Sequence, residues 1–295
     1  MTVETRLPFW RSMLFVPADN ERFLAKAYLR GADAIILDLE DSIPPASKTK
    51  ARQHCANAIQ DLLANGQKLI IRINMPLRLA VRDLETVILP GVRAIMLPKA
   101  RSADHVRMIS TLIGTLETER NIAERTIGLL PIIETAAAYF RAEGIARADP
   151  RVIGLLLGAE DFAADTGLVP TPDALKTAKQ QIVFAAAAAG IRPYGLLGSV
   201  ADYGDRKALN DMAARSAEFG FVGATCIHPS GVPILNEGFT PAQEQIADAK
   251  SVIAALEDAE RRGLGAVAHN GRMIDAPVAA RARDLLARAN LFSEN

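Results

Sequence analysis

The sequence contains few cysteines and no excess of charge of either sign. Its two cysteines, Cys55 and Cys226, lie far apart and form no Cys-x-x-Cys pair. This pattern argues against a disulfide scaffold or a structural zinc site and indicates a reducing compartment. The 34 basic residues are matched by 34 acidic ones, so no net field favours nucleic acid or an anionic membrane as a partner.

Long apolar runs are also missing. The most apolar stretch, 182–191, has about half of the roughly 20 residues that a transmembrane helix needs. Its five consecutive alanines predict a buried helix instead. Residues 1–16 contain a short apolar stretch without a long apolar region and small-residue cleavage site, so no export signal is recognisable. We therefore expect a cytoplasmic protein that has no membrane partner.

Three motifs of common enzyme classes are absent. No Gly-x-Gly-x-x-Gly turn follows the first aliphatic segment, and no Walker A sequence occurs, which disfavours dinucleotide and P-loop nucleotide sites. No Gly-x-Ser-x-Gly elbow is present either. A hydrolase that uses a serine nucleophile therefore has little support.

Short aliphatic segments recur along the chain and alternate with amphipathic stretches. The segments are almost continuously apolar, which is typical of parallel strands that are covered on both faces. The stretches between them are long enough for crossover helices. Eight strand–helix repeats predict one (β/α)8 TIM barrel, with an open doubly wound sheet as the alternative. The predicted strands are 12–16, 34–38, 68–72, 94–97, 127–133, 152–157, 192–197 and 223–227, and the clearest helices are 48–64, 104–119, 135–146, 172–189 and 207–219.

A further segment follows the eighth predicted strand. We divide the chain into a barrel catalytic domain, 1–235, and a C-terminal helical extension or lid, 236–295. The extension contains a charged helix, a Gly263-Leu-Gly265 break and an Ala- and Arg-rich helix that starts near Pro277.

Polar and charged residues stand where the predicted strands end, the position at which barrels carry their catalytic groups. Since all carboxyl ends of the strands meet on one rim, we expect these side chains to converge. They are Asp38, Glu40 and Asp41 after strand two, Arg72 and Asn74 after strand three, Lys99 after strand four, Glu134 after strand five, Glu160 and Asp161 after strand six, and His228 after strand eight.

Crowded carboxylates repel each other, and either raised pKa values or a divalent cation relieves the repulsion. Oxygen ligands without a His or Cys cluster favour Mg²⁺, with Mn²⁺ as a second candidate, over zinc. Glu134 and Asp161 form the best ligand pair because they end neighbouring strands. The alternative is that these acids cap helices or pair with Arg72 and Lys99.

Arg72 lies between Ile71 and Ile73 at a strand end, an expensive place for an unpaired charge. It either forms an ion pair with Asp38 or Glu40, or binds a carboxylate or thioester oxygen of a substrate, and the two roles are compatible. Lys99 is the only strand-end lysine that a Schiff-base aldolase would use, although such a lysine more often pairs with an acid.

Several ordered motifs are distributed over nearly the whole chain. They are Arg11-Ser-Met-Leu-Phe-Val-Pro17, Gly31-Ala-Asp-Ala-Ile-Ile-Leu-Asp-Leu-Glu-Asp-Ser42, Arg72-Ile-Asn74, Leu97-Pro-Lys99, Ile132-Ile-Glu-Thr135, Gly158-Ala-Glu-Asp161, Cys226-Ile-His-Pro229 and Gly271-Arg-Met-Ile-Asp275. Together these motifs resemble the citrate lyase β-subunit-like branch of the HpcH/HpaI aldolase superfamily. The run 194–202 is similar to stand-alone members rather than to the subunit of the multi-chain lyase.

The resemblance implies a barrel that acts on acyl-CoA thioesters and assembles as a homotrimer or hexamer. It implies Mg²⁺ on Glu134 and Asp161, and a substrate-contacting arginine at Arg72. The C-terminal extension would reach a neighbouring subunit and present Asp275 there. The acids that would surround the water molecules of the metal are Asp38, Glu40 and Asp41.

The implied reaction is reversible cleavage of a 3-hydroxy-3-carboxyacyl-CoA, of the citramalyl-, malyl- or citryl-CoA type, to acetyl-CoA and a 2-oxoacid. Arg72 would stabilise the enolate oxygen, and Asp275 would protonate the enolate carbon. The base for the substrate hydroxyl stays open between Glu40 and a water molecule of the metal. We also predict substrate contacts for Asn74 and, near the CoA phosphates, for Lys48.

Other members of the superfamily offer alternatives, namely a malyl-CoA thioesterase, a malate-synthase-like condensing enzyme, or a non-catalytic or acyl-carrier-dependent subunit. The chain departs from the family pattern in three loops. It has Ala18 where glycine is common, Arg101 where an acid is common, and no glutamine in His228-Pro-Ser-Gly231. These loops would line the acyl or CoA site, so the departures bear on the substrate.

Overall fold

The computed structural model describes residues 7–200 and 204–293. Residues 1–6 and 201–203 lie outside the described residues. The expectation about an export signal rests partly on the first of these segments, and the run 194–202 extends into the second. The chain divides into two compact units, Met1–Glu237 and Gly238–Asn295. Within the described ranges, no helix has the length and apolar character to cross a membrane.

Eight parallel strands form the centre of the first unit, in the order β7-β6-β5-β4-β3-β2-β1-β8. Each of the eight predicted aliphatic segments overlaps one of these strands, and only β1 and β4 extend beyond their segments, so the predicted barrel architecture is confirmed. The strands are β1 (Ser12–Pro17), β2 (Ala34–Asp38), β3 (Leu69–Arg72), β4 (Val92–Leu97), β5 (Gly128–Ile133), β6 (Gly154–Leu157), β7 (Arg192–Tyr194) and β8 (Ala224–Cys226).

The barrel closes between β7 and β8 through two backbone hydrogen bonds rather than a regular ladder. The Gly195 amide donates to the Gly223 carbonyl at 2.8 Å, and the Val222 amide donates to the Pro193 carbonyl at 3.0 Å. Gly223 permits the close approach of β8 to the chain before β1, since a Cβ at position 223 would lie 1.8 Å from the Trp10 carbonyl oxygen. A larger residue at position 223 would therefore separate β8 from the chain that leads into β1.

Aliphatic side chains fill the barrel and also cover its outer face. Every residue of β2 and β5 is buried, which explains why these strands are continuous apolar runs. The interior cluster is built by side chains from successive strands and includes Met13, Ile36, Ile70, Met96, Leu130, Leu156 and Tyr194.

Helices connect the strands of the first unit, and most lie where the amphipathic stretches predict them. The predicted helix 135–146 is instead two short helices, because Arg141 leaves the helical conformation between them. Four further helices, Glu21–Leu24, Leu77–Val87, Ala159–Thr166 and Gly231–Gly238, were not predicted. The helices are α1 (Glu21–Leu24), α2 (Lys48–Ala64), α3 (Leu77–Val87), α4 (Ala103–Glu119), α5 (Ala136–Tyr139), α6 (Ala142–Ala146), α7 (Ala159–Thr166), α8 (Pro172–Ala189), α9 (Arg206–Phe219) and α10 (Gly231–Gly238), with 3₁₀ turns at Ala27–Arg30 and Pro45–Ser47.

The second unit is a pair of helices and a β-hairpin. Helices α11 (Gln243–Arg261) and α12 (Ala276–Ser293) flank strands β9 (Val267–His269) and β10 (Arg272–Ile274), and α12 begins where the sequence predicts it. The hairpin itself was not predicted. It turns at Asn270-Gly271, where both residues have a positive φ, as a two-residue hairpin turn requires. Its core is formed by Ala249, Val252, Leu256, Ile274, Ala279 and Ala282.

Candidate active site

A cavity of about 270 Å³ lies at the carboxyl ends of the barrel strands. One part of its wall is apolar and includes Phe15, Ile132, Leu156, Tyr194 and Ile227. The polar part comes from the ends of different strands and from the first turn of α7. Its charged and hydroxylic residues are Asp38, Ser42, Arg72, Glu134, Glu160, Asp161, Lys179, Ser199 and Thr225.

Asp38 and Arg72 form a two-pronged ion pair at the ends of the neighbouring strands β2 and β3. Arg72 donates from Nε to Asp38 Oδ1 and from Nη2 to Oδ2, both at 2.7 Å. Asp38 also accepts from the Ser42 hydroxyl. Burial by itself raises the pKa of Asp38, but the hydrogen bonds and charge of Arg72 outweigh it and lower that pKa. Both residues are therefore charged at neutral pH, and the guanidinium is held in one orientation.

Glu40 is buried beside this pair and has unused hydrogen-bonding capacity. Its Oε1 accepts from Lys99 Nζ at 2.8 Å. Its Oε2 lies 3.2 Å from Arg72 Nη1, yet within the described part of the chain it has no partner of hydrogen-bond geometry. Burial raises the pKa of Glu40 although Arg72 and Lys99 oppose the rise. Glu40 is thus a carboxylate whose negative charge is incompletely compensated.

Lys99 joins the acids of several strands. Besides Glu40, its Nζ lies 3.5 Å from Asp41 Oδ1 and 3.4 Å from Asp161 Oδ1. Its backbone amide donates to Glu134 Oε2. Burial lowers the pKa of Lys99, but the hydrogen bond and charge of Glu40 and the charges of the other acids raise it overall. The ammonium therefore stays charged in this cluster.

Glu134 ends β5 and is only 3% exposed. Burial raises its pKa to about 8, and the charges of Glu40 and Asp161 add to the rise. Gly158 leaves the space that this carboxyl needs, since a Cβ there would lie 2.6 Å from Glu134 Cγ and 2.7 Å from Oε1. A cation that contacted Glu134 would stabilise its ionised form.

The donor set fits a hard divalent cation that keeps open positions. Glu134 and Asp161 line the same cavity and offer only oxygen atoms. Among residues 7–200 and 204–293, no group of three or more His, Cys, Asp or Glu residues is arranged to hold a metal. Two carboxylates suit Mg²⁺, which normally retains several water or substrate oxygens as ligands.

Two predicted substrate-binding residues point to protein partners instead of lining the cavity. Asn74 donates from its backbone amide and from Nδ2 to Asp83, at 2.8 and 2.7 Å. Lys48 donates from Nζ to the carbonyl oxygens of Leu39, at 2.9 Å, and of Glu40. Asn74 therefore supports the loop after β3, and Lys48 supports the loop that carries Glu40. The substrate contacts of both residues stay predictions.

Asp275 lies in the second unit, directly before α12. Its Oδ1 accepts a hydrogen bond from the Val278 amide at 3.2 Å, so its carboxylate caps this helix. The side chain is partly exposed. Its role as an acid for a neighbouring subunit stays a prediction.

Two features of the cavity wall were not predicted from the sequence. Ser199 donates to Glu160 Oε1 and links the loop after β7 to α7. Lys179 is buried and donates to the carbonyl oxygens of Leu196 and Gly198, and burial lowers its pKa to about 7. A signal for Lys179 exists in the sequence, because it falls on the buried face of α8 with Leu175 and Ile182.

The fold and the cavity define a TIM-barrel protein whose acidic rim fits a divalent cation. Residues 11–229 match the model of the HpcH/HpaI aldolase/citrate lyase family. The chain therefore belongs to the HpcH/HpaI aldolase/citrate lyase family, which confirms the resemblance found in the sequence.

Characterised relatives are similar over almost their whole length. The citrate lyase subunit beta of Escherichia coli (strain K12) is 36% identical over 284 residues, covering 95% of this chain and 93% of the relative. The L-malyl-CoA/beta-methylmalyl-CoA lyase of Rhodobacter capsulatus is 33% identical, covering 90% of each chain. The crystal structure of CitE from Mycobacterium tuberculosis in complex with magnesium, acetoacetate and coenzyme A superposes with a TM-score of 0.76 at 32% identity, covering 95% of this chain and 97% of that one.

Proposed function

We propose that this chain is a Mg²⁺-dependent carbon–carbon lyase that cleaves a 3-hydroxy-3-carboxyacyl-CoA to acetyl-CoA and a 2-oxoacid. The substrate is of the citramalyl-, malyl- or citryl-CoA type. Two relatives of this chain are named citrate lyase subunit beta and L-malyl-CoA/beta-methylmalyl-CoA lyase. The similar CitE crystal structure contains magnesium and coenzyme A. In this chain, the proposal is carried by the convergence of Glu134, Asp161 and Arg72 on one cavity wall.

Glu134 and Asp161 would hold the metal. When bound, Mg²⁺ supplies a Lewis acid for the hydroxyl and carboxylate oxygens of the substrate. Mn²⁺ suits the same oxygen ligands. Since Glu134 has a raised pKa, it must lose its proton to serve as a ligand at neutral pH.

Arg72 would bind the thioester oxygen, where negative charge develops as the carbon–carbon bond breaks. Its two bonds to Asp38 and its position over the Phe15 ring, 4.7 Å from Cζ to the centroid, fix the guanidinium before the substrate arrives. Preorganised charge of this kind stabilises a transition state because no reorganisation is needed during the reaction.

Two protons move in the cleavage direction. The substrate hydroxyl loses one as it becomes a ketone, and the enolate carbon of acetyl-CoA gains one. Glu40 would accept the first, because its unpartnered Oε2 and raised pKa suit a general base. Asp275 of a neighbouring subunit would donate the second, which requires a homotrimer or hexamer.

The remaining assignments concern substrate binding and location. Asp38 and Asp41 would orient the groups around the metal, and Asn74 would act through the loop after β3. Lys48, at the start of α2, would lie near the CoA phosphates. A cytoplasmic location accords with the two buried cysteines, Cys55 and Cys226, which are free thiols.

The decisive experiment supplies purified protein and Mg²⁺ with citramalyl-, malyl- and citryl-CoA in turn. A lyase releases the 2-oxoacid without a free thiol, whereas a thioesterase releases the CoA thiol without a 2-oxoacid. An acyl-carrier-dependent subunit turns over none of the free esters. We expect the lyase pattern with at least one ester.

Two variants test the metal ligands in the same assay. Glu134→Gln and Asp161→Asn keep the size of each side chain, so both should fold and show an unchanged circular dichroism spectrum. Each should lower turnover by roughly a hundredfold or more. Turnover at the wild-type rate in both variants would refute the proposed metal site.

A further inference from the structure

The ammonium group of Lys99 stands among the acids that the proposed function assigns to the metal and the proton transfers. Its Nζ lies 2.8 Å from Glu40 Oε1, 3.5 Å from Asp41 Oδ1 and 3.4 Å from Asp161 Oδ1. One side chain thus provides positive charge to three carboxylates. Arg72 is a second cation of this cluster, and its two shortest contacts are with Asp38.

The backbone at Lys99 supports this placement. Lys99 has φ of 46°, in the left-handed region that residues other than glycine seldom adopt. Its amide donates to Glu134 while its side chain reaches Asp161. A single residue therefore contacts both proposed metal ligands, the first through the backbone and the second through the ammonium.

A divalent cation and this ammonium compete for the same negative charge. A metal on Glu134 and Asp161 would lie close to an ammonium that is 3.4 Å from Asp161 Oδ1, and two cations at such a distance repel each other. The same Nζ also contacts Glu40 and Asp41. The lysine can therefore leave Asp161 and remain paired.

We propose that Lys99 is the counter-cation of the proposed metal ligands when no metal is bound and sets their affinity for Mg²⁺. In the metal-free protein, its ammonium compensates Asp161 together with Glu40 and Asp41, and it gives up Asp161 when the metal binds. Removal of this charge therefore strengthens Mg²⁺ binding and destabilises the metal-free protein. This inference rests on the metal site of the proposed function.

Calorimetric titration with Mg²⁺ tests the inference on wild-type protein, Lys99→Met and Lys99→Arg. Methionine keeps the length of the side chain and removes its charge, whereas arginine keeps the charge. We expect Lys99→Met to lower the Kd for Mg²⁺ on the order of tenfold, and Lys99→Arg to stay within about threefold of wild type. Without Mg²⁺, Lys99→Met should melt at a lower temperature, and added Mg²⁺ should raise its Tm more than that of wild type.

Lys99→Gln provides a second neutral side chain if the methionine variant does not fold. Mg²⁺ affinity equal to or weaker than that of wild type in the neutral variants would overturn the role of Lys99 while leaving the metal site in place. If wild type and all variants bind no Mg²⁺, the metal site itself is refuted and this inference with it.

Discussion

Two buried clusters of charge in the barrel differ in how completely they are neutralised. At the amino end of β6, Arg151 pairs with Glu117, with side chains 4% and 1% exposed. Glu117 accepts from two guanidinium nitrogens and from the backbone amides of Arg125 and Ile127. One cation meets one anion, and both carboxylate oxygens have partners.

The rim cluster at the carboxyl ends has the opposite character. Four of its carboxylates, those of Asp38, Glu40, Asp41 and Asp161, lie within ion-pair distance of Arg72 or Lys99, whereas Glu134 accepts only from the Lys99 backbone amide among these contacts. Burial raises the pKa of Glu134 to about 8, and Glu40 Oε2 lacks a hydrogen-bond partner among the described residues. A balanced buried pair holds a fold together, whereas an excess of negative charge beside a cavity is suited to a cation and a ligand. The following predictions test this distinction.

Removal of the cation from the balanced cluster should have the largest effect on stability. Arg151→Met leaves the buried Glu117 without its counter-charge and should lower the free energy of unfolding by about 3–5 kcal/mol. Its kcat/KM, measured where the protein is folded, should match wild type. Arg147→Met, which breaks an exposed pair with Glu143, should cost under about 1 kcal/mol. Equal losses in urea titrations of the two variants would contradict a structural role for the buried pair.

Removal of a cation from the rim should act on turnover as well as on stability, since Arg72→Met also leaves the buried Asp38 without its two-pronged partner. Measured on folded protein, Arg72→Met should reduce kcat roughly a hundredfold, or about 2.7 kcal/mol, because it removes the group that we propose to face the developing enolate. Arg72→Lys keeps the charge but loses the two-pronged contact with Asp38, so it should recover only part of the rate. A kcat within threefold of wild type in Arg72→Met would place Arg72 among the structural ion pairs.

Gly158→Ala should have a smaller effect than the loss of a rim cation, and it tests whether the position of Glu134 determines metal affinity. The added methyl would lie 2.6 Å from Glu134 Cγ, so the Glu134 side chain must shift from its present position in the cavity wall. The backbone at Gly158 has φ of −78°, which alanine also adopts. We expect about tenfold weaker Mg²⁺ binding in calorimetry, with little loss of stability. An unchanged Kd would show that the position of Glu134 does not determine metal affinity.

Lys179 is a buried lysine whose amino group donates to carbonyl oxygens. Its lowered pKa makes the free energy of unfolding depend on pH. Burial lowers its pKa from 10.5 to about 7. Between these values the unfolded chain binds more protons at this position than the folded one, so the contribution of Lys179 to stability rises with pH, by about 1 kcal/mol per pH unit.

Lys179→Met should remove this rise, as measured by urea unfolding between pH 7.5 and 9.5. Lys176→Met, at an exposed position of the same helix, should keep it. The same slope in wild type and Lys179→Met would show that Lys179 does not titrate in this range.

The barrel and most of its rim could be predicted because they follow from local patterns. Apolar runs marked the strands, and parallel strands in a barrel must end on one rim. This rule was enough to predict that four residues lie close together, namely Asp38, Arg72, Glu134 and Asp161. It needs no knowledge of side-chain direction, since each of these residues ends a strand or starts the next helix.

The direction of individual side chains could not be predicted from strand ends. Asn74 turns to Asp83 in α3, a helix that was not predicted, although Ala80, Leu84 and Val87 give it a buried face. Lys99 meets Glu40 across 59 residues of sequence, and only the register of β2, β3 and β4 sets that contact. The hairpin of the second unit was missed because its strands have three residues each.

The central claim is that Glu134 and Asp161 bind one divalent cation at the rim. Calorimetric titration with Mg²⁺ tests it most directly on wild-type protein and on the double variant Glu134→Gln, Asp161→Asn. We expect one Mg²⁺ per chain in wild type and no binding in the double variant. Binding of the same stoichiometry and affinity in both proteins would contradict it.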